Sequence, residues 1–209
     1  MEPTLLEFTL NRHHTGLTPW GDHATLSRLH RVIHAVVEGS VVIEDKEGFV
    51  LGLAYDVRKA FEEQRRQDSR THGDDKSRIY GVEILWPVVL VQVGVLRHAM
   101  GFLPTDKGFQ AAMYDLEDVV ESAVRRAVPK AATNLIEWIA RLGALPYKHL
   151  DSVPSNRCCY FIELELKRRL ASLLPLMESF DPMLDFLAEH GTLKPGMIPP
   201  SAFARGERE

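Results

Sequence analysis

The sequence predicts an α+β fold: a small, mostly antiparallel sheet from the N-terminal half packed against helices, followed by a C-terminal half that is largely helical. Three observations carry this expectation. Short β-branched or aromatic runs bounded by turn residues crowd the chain ahead of Pro87 ("LLEFTL", "GLTPWG", "SVVIEDKEGFVLGLAY", "RIYGVEILW"). Beyond Pro87, apolar residues recur at three- and four-residue steps, the helical period. Strands and helices do not alternate regularly, as a doubly wound parallel sheet would require.

Taken in order, "LLEFTL" alternates weakly and reads as a strand. "GLTPWG" is short and turn-bounded, and Pro19, which lacks an N–H, suits an edge strand. Asp22 is placed to cap a helix running to about Glu38, with Gly39 at its C-terminal stop. In "SVVIEDKEGFVLGLAY" two strand-like runs flank "EDKEG", which predicts a hairpin. A helix follows from about Asp56 through "VRKAFEEQRR", and the polar "QDSRTHGDDKS" reads as a loop. "RIYGVEILW" is expected as a central strand. Pro87 then opens a helix, "PVVLVQVGVLRHAMGF", apolar almost all round and so buried on more than one side. Its polar members Gln92 and His98 need partners if buried, and Glu83 or Tyr114 is expected to supply them.

In the second half, Phe109, Met113, Leu116, Val120, Ala123 and Ala127 mark an amphipathic helix, and "KAATNLIEWIARLG" another that ends at Gly143. "CCYFIELELKRRLASLLPLMESF" alternates like a strand at first and turns helical from about Lys167, with an interruption near Pro175. "DPMLDFLAEHG" has Asp181 as cap, Pro182 in the first turn and Gly191 as stop. Residues 1–193 are expected to form a single α+β domain, and residues 194–209 a loosely ordered tail.

Composition narrows the function. The chain has 209 residues, 45% hydrophobic and 26% charged, ample for a folded core. A net charge of −4 gives no basic footprint for duplex DNA. Cys158 and Cys159 are adjacent, so no disulfide framework is implied and a reducing compartment fits. The first residues, "MEPTLLEFTLNRHH", do not read as a signal peptide. "ILWPVVLVQVGVL" is shorter than the roughly 20 residues of a membrane span, and Pro87, Gln92 and Gly94 interrupt it. A cytoplasmic protein with no membrane partner is expected.

Five of the nine histidines fall between residues 13 and 34. On a helix, His30, His34 and His23 lie along one border of the apolar arc formed by Leu26, Leu29, Ile33, Val36 and Val37. His30 and His34 have the i, i+4 spacing of two zinc ligands. His23 lies about 10 Å further along the axis and cannot share their ion. A third ligand would be His13, with His14 or Asp22 as substitutes. No Glu follows His30, so this is not the HExxH arrangement. Boundary histidines on a half-buried helix are the favoured reading over a metal site. Arg65, Arg66 and Arg70 are the candidate phosphate contacts. From Arg58 to Arg78, however, seven basic residues mix with five acidic ones, a solvated stretch more than a polycation. Asp115, Glu117, Asp118 and Glu121 share a helix, where pairing such as Glu121 with Arg125 is the ordinary outcome. Arg157 alone gives Cys158 and Cys159 little activation as nucleophiles. GxGxxG after a strand, GxxxxGK[ST], GxSxG and CxxC are all missing.

The leading expectation is therefore a non-catalytic cytoplasmic protein-binding factor of immunity or accessory type, acting on another protein or by self-association and needing no cofactor. The first alternative is a metal-assisted hydrolase holding zinc on His30, His34 and His13. The second is a nucleic-acid-binding accessory protein using Arg65, Arg66 and Arg70, a partner class that the charge balance does not favour. The stretches "TGLTPWGDHATLSRLHRVIH", "LGLAYDVRKAFE" and "GVEILWPVVLVQVGVLRHAM" resemble a family of uncharacterised bacterial proteins of about this length, with the likeness running up to "DPMLDFLAEHG". The resemblance implies a bacterial, cytoplasmic, single-domain protein and brings no activity.

Overall fold

The computed structural model describes residues 5–72, 75–152 and 154–206, and its architecture is α+β. Strands β1 (Glu7–Leu10) and β2 (Gly16–Gly21) pair antiparallel around a 3-10 turn at Arg12–His14. Helix α1 (His23–Gly39) begins where the sequence placed it: Asp22 accepts a hydrogen bond from Thr25 N at 2.7 Å. Its buried face carries Leu26, Leu29, Ile33, Val36 and Val37. Helix α2 (Phe49–Phe61), strands β3 (Arg66–His72), β4 (Asp75–Gly81) and β5 (Ile84–Leu85), and helix α3 (Trp86–Met100) complete the N-terminal half. Beyond them lie α4 (Lys107–Ala127), α5 (Ala132–Gly143), α6 (Tyr147–Ser152), α7 (Pro154–Glu163), α8 (Leu166–Arg169), α9 (Leu173–Glu178) and α10 (Met183–Glu189), then a 3-10 segment, Pro200–Gly206. The sheet order is β1-β2-β4-β3, with β5 also paired to β2. No helix is long and apolar enough to cross a membrane, among the described residues.

Four local expectations are corrected. The stretch 40–55 is not a hairpin. Val50, Leu53, Ala54, Val57 and Ala60 are buried at helical spacing and make α2, and the β-branched run before them lies in a loop. That loop is tied down by polar groups: Ser40 Oγ accepts from Val42 N and Ile43 N, both at 3.1 Å, and Lys46 Nζ donates to Val37 O at 2.8 Å. A half-buried lysine at the end of α1 thus satisfies one of the last-turn carbonyls that a helix leaves unpaired.

The stretch 67–77 is not a loop but the β3–β4 hairpin, paired from Arg66↔Gly81 to His72↔Asp75. Gly73 and Asp74 lie outside the described residues. Arg66 to Ser69, Thr71, Ser77 and Arg78 are exposed, so the strands carry no apolar alternation from which to read them.

Pro19 is not on an edge strand. Strand β2 has β1 on one side and both β4 and β5 on the other. The proline is tolerated because the second neighbour is interrupted beside it. Pro19 O accepts from Val82 N at 3.3 Å, so its hydrogen-free nitrogen faces the gap at residues 82 and 83 between β4 and β5. The same gap splits "RIYGVEILW" into two strands.

The residues from Cys158 are helical, not extended. Arg157 and Phe161 are buried at i, i+4, and Leu164 is half-buried just beyond the helix end, while Ile162 faces water. The apparent alternation of Tyr160, Ile162 and Leu164 is coincidental.

Helix α3 is the centre of the molecule, with twelve buried residues including Trp86, Leu90 and Leu96. Gln92 Nε2 donates to Phe49 O at 2.7 Å, so its partner is the first turn of α2, not Glu83 or Tyr114. Of the segment expected as a tail, Ile198 and Phe203 are buried, and the Tyr160 and Phe203 rings meet edge to face at 5.2 Å.

Candidate functional site

The histidine seam faces α2. The His23 and His30 rings lie edge-on to Phe61, at 5.1 Å and 5.8 Å between centroids, and the His30 and His34 rings are 4.5 Å apart. Spacing along α1 brings His30 and His34 together as expected; Phe61 supplies the apolar wall. His13 is elsewhere. Its backbone is left-handed at φ 62°, and its carbonyl accepts from Arg169 Nη1 at 2.9 Å, which ties the first hairpin to α8. No group of three or more His, Cys, Asp or Glu is placed to hold a metal ion, among the described residues. Two imidazoles without a third donor make half of a zinc site.

Burial lowers the pKa of His30 below the usual histidine value, helped by its neighbours His34 and Arg58, while Glu62 opposes. The folded protein thus resists a proton that the unfolded chain accepts as pH falls through about 6.5. Stability is expected to fall with pH through that range, and His30→Gln to flatten the dependence. Urea midpoints measured from neutral to mildly acidic pH check this, and an unaltered slope would contradict it.

Each candidate phosphate-contacting arginine already has a carboxylate. Arg65 pairs with Asp56 at 2.8 Å, Arg66 with Glu83 at 3.0 Å, and Arg70 with Glu7. Arg78, on the same hairpin, pairs with Glu63 at 3.1 Å. Cys158 is not activated: burial pushes its thiol up to about 11, away from the thiolate that a nucleophile needs.

The carboxylates of α4 are also in structural use. Asp115 accepts from Leu6 N through both oxygens at 3.1 Å, with Arg28 at 3.9 Å, and burial raises its pKa despite those partners. Glu117 forms a two-pronged pair with Arg97, which also donates to Gln110 Oε1 at 3.0 Å and lies over the Tyr114 ring. Glu121 pairs with Arg125 at 3.0 Å.

Two features escape sequence reasoning. One is a cavity of about 280 Å³ between the loop after α1, helix α3 and the α5–α6 turn, lined by Val41, Glu44, Val95, His98, Pro146 and Tyr147 among others. His98 stacks edge-on against Phe102 at 5.1 Å. Tyr147 Oη donates to Asp45 O at 3.1 Å, and Glu44 pairs with Lys148 at the rim. This arrangement can hold a small molecule but presents no nucleophile beside a base. Reading residues 41–44 as a strand hid it. The second is a set of exposed apolar side chains in the C-terminal part of the chain: Ile162 (48% exposed), Leu166 (46%), Met183 (56%) and Phe186 (53%). Helices α7 and α10 share the 3-10 segment as a neighbour, and Arg157 of α7 feels the charge of Asp185 on α10.

A family model described as Domain of unknown function (DUF6904) matches residues 6–189. No curated protein and no solved structure matches the sequence.

Proposed function

Because the chain belongs to this family over most of its length, we propose its role from its own surface: a non-catalytic protein-binding factor of accessory type, acting in the cytoplasm of a bacterial cell. The observation that carries this reading is the exposed apolar set Ile162, Leu166, Met183 and Phe186. Large apolar side chains left in water are what a contact surface would use, and these four come from three helices of the C-terminal part of the chain. Supporting it, the groups that could have done chemistry are engaged elsewhere. The arginines are ion-paired, Cys158 is held as a thiol, and His30 and His34 pack on one another. The free thiols Cys158 and Cys159 fit a reducing compartment.

Affinity capture from the native cells, with the wild type beside a Met183→Asp/Phe186→Asp variant, tests it. The wild type is expected to retain a specific polypeptide that the variant loses, with thermal midpoints within a few degrees because both positions are exposed. Recovery of the same polypeptides by both proteins, or of none, would overturn the reading.

A further inference from the structure

Strand β3 ends the sheet order, and among the described residues it pairs with no strand other than β4. At the other end of the sheet helix α4 packs near β1, and Asp115 takes up the N–H of Leu6 just ahead of that strand. Strand β3 thus presents a seven-residue edge. Every second residue of such an edge turns its N–H and C=O outward, ready to pair with another strand.

The residues along this edge select the partner. Written against itself in antiparallel register about Ser69, the strand "RQDSRTH" sets Asp68 opposite Arg70, Arg70 opposite Asp68, and Gln67 opposite Thr71. Directly opposed residues of an antiparallel pair share a face, so the two Asp–Arg contacts fall on one side of the joined sheet. They fall on the side that already holds Glu7, because Glu7, Trp20, Gly81 and Arg66 stand in one row across the sheet. Arg70, bonded to Glu7 within the chain, would then lie between two carboxylates. The small side chain at the centre, Ser69, meets its own copy without crowding. Asp68, Ser69 and Thr71 are exposed in the single chain, where Ser69 N donates to Asp68 Oδ1 at 2.7 Å, and joining the strands would exchange that local bond for the inter-strand ladder and the Asp–Arg contacts.

We propose that β3 is a self-association surface: two copies of this chain join β3 to β3 antiparallel about a twofold axis at Ser69, making one continuous sheet. A twofold pairing satisfies both β3 edges at once. The proposal does not draw on the apolar C-terminal region.

Charge reversal tests it on the intact protein by sedimentation velocity across a concentration series. Asp68→Arg places arginine against arginine at both contacts and is expected to weaken the dimer by about tenfold or more. Arg70→Asp should do the same. The double exchange Asp68→Arg/Arg70→Asp restores opposite charges and should recover most of the wild-type association. Independently, Ser69→Cys in a Cys159→Ser background should link the two copies through a disulfide at this position under mild oxidation, because directly opposed strand residues lie within disulfide reach. A wild type that stays monomeric throughout the series overturns the proposal. So does a dimer indifferent to Asp68→Arg, or one whose double exchange fails to recover while Ser69→Cys gives no cross-link.

Discussion

Gly94→Ala is expected to cost about 3 kcal/mol or more of unfolding free energy, a large share of what a domain possesses. A β-carbon at Gly94 would sit 2.3 Å from Ile139 O, and one at Gly143 would sit 2.1 Å from Gly94 O. Helices α3 and α5 thus touch backbone to backbone, and the obstructing atoms belong to helices, not to flexible side-chain ends. Relief requires moving α5 off the central helix, which opens the core on both sides. Gly143→Ala should behave alike. Gly52→Ala provides the opposite case. It lies within α2, and a β-carbon there meets nothing within 4 Å. Removing glycine's freedom from a helix should stabilise the protein by about 0.5–1 kcal/mol. Urea denaturation of the three variants checks the pattern. A Gly94→Ala midpoint near the wild type would mean that the two helices do not touch there.

Phe161→Ala should destabilise by about 3–5 kcal/mol, the cost of emptying an aromatic site in a close-packed interior. Phe161 is fully buried on α7, whereas its neighbour Ile162 faces water. Ile162→Ala is accordingly expected within about 0.5 kcal/mol of the wild type. The pair of measurements distinguishes a helix presenting residue 161 inward from any extended segment that would bury residue 162 instead.

Much of the fold is legible where local signals agree with burial. Asp22 and Gly39 bracket α1, the run after Pro87 is apolar all round because α3 is central, and α4 shows its buried face at three- and four-residue steps. Legibility fails where exposure removes the pattern. Both faces of β3 are polar, so nothing in "QDSRTH" separates a strand from a loop. It also fails where composition conflicts with geometry: "FVLGLAY" is rich in strand formers, yet Val50, Leu53 and Ala54 are buried as one helical face. For the candidate site, the pairing of His30 with His34 follows from spacing along a single helix. The separation of His13 from them does not: His13 lies on the turn between β1 and β2, where its carbonyl accepts from Arg169 of α8, 156 residues away. The pairing of Arg65, Arg66 and Arg70 with carboxylates is equally a matter of tertiary placement. Asp56 and Glu83 are near in sequence and Glu7 is distant, and a local charge count cannot tell which carboxylate answers which arginine.

Leu6 N is held by Asp115, 109 residues further on. On a ribosome the chain is made from its beginning, so the Leu6 N–H just ahead of the first strand must wait for the first half of α4 before its acceptor exists. Until then the nascent chain carries β1 and β3 at the two margins of the sheet, and only β3 is rich in charge. The interval between synthesis of the first hairpin and arrival of the carboxylate is thus when misassociation is most costly. A ribosome-bound chain arrested before residue 115 should be markedly more prone to aggregate than one arrested after α4 has emerged.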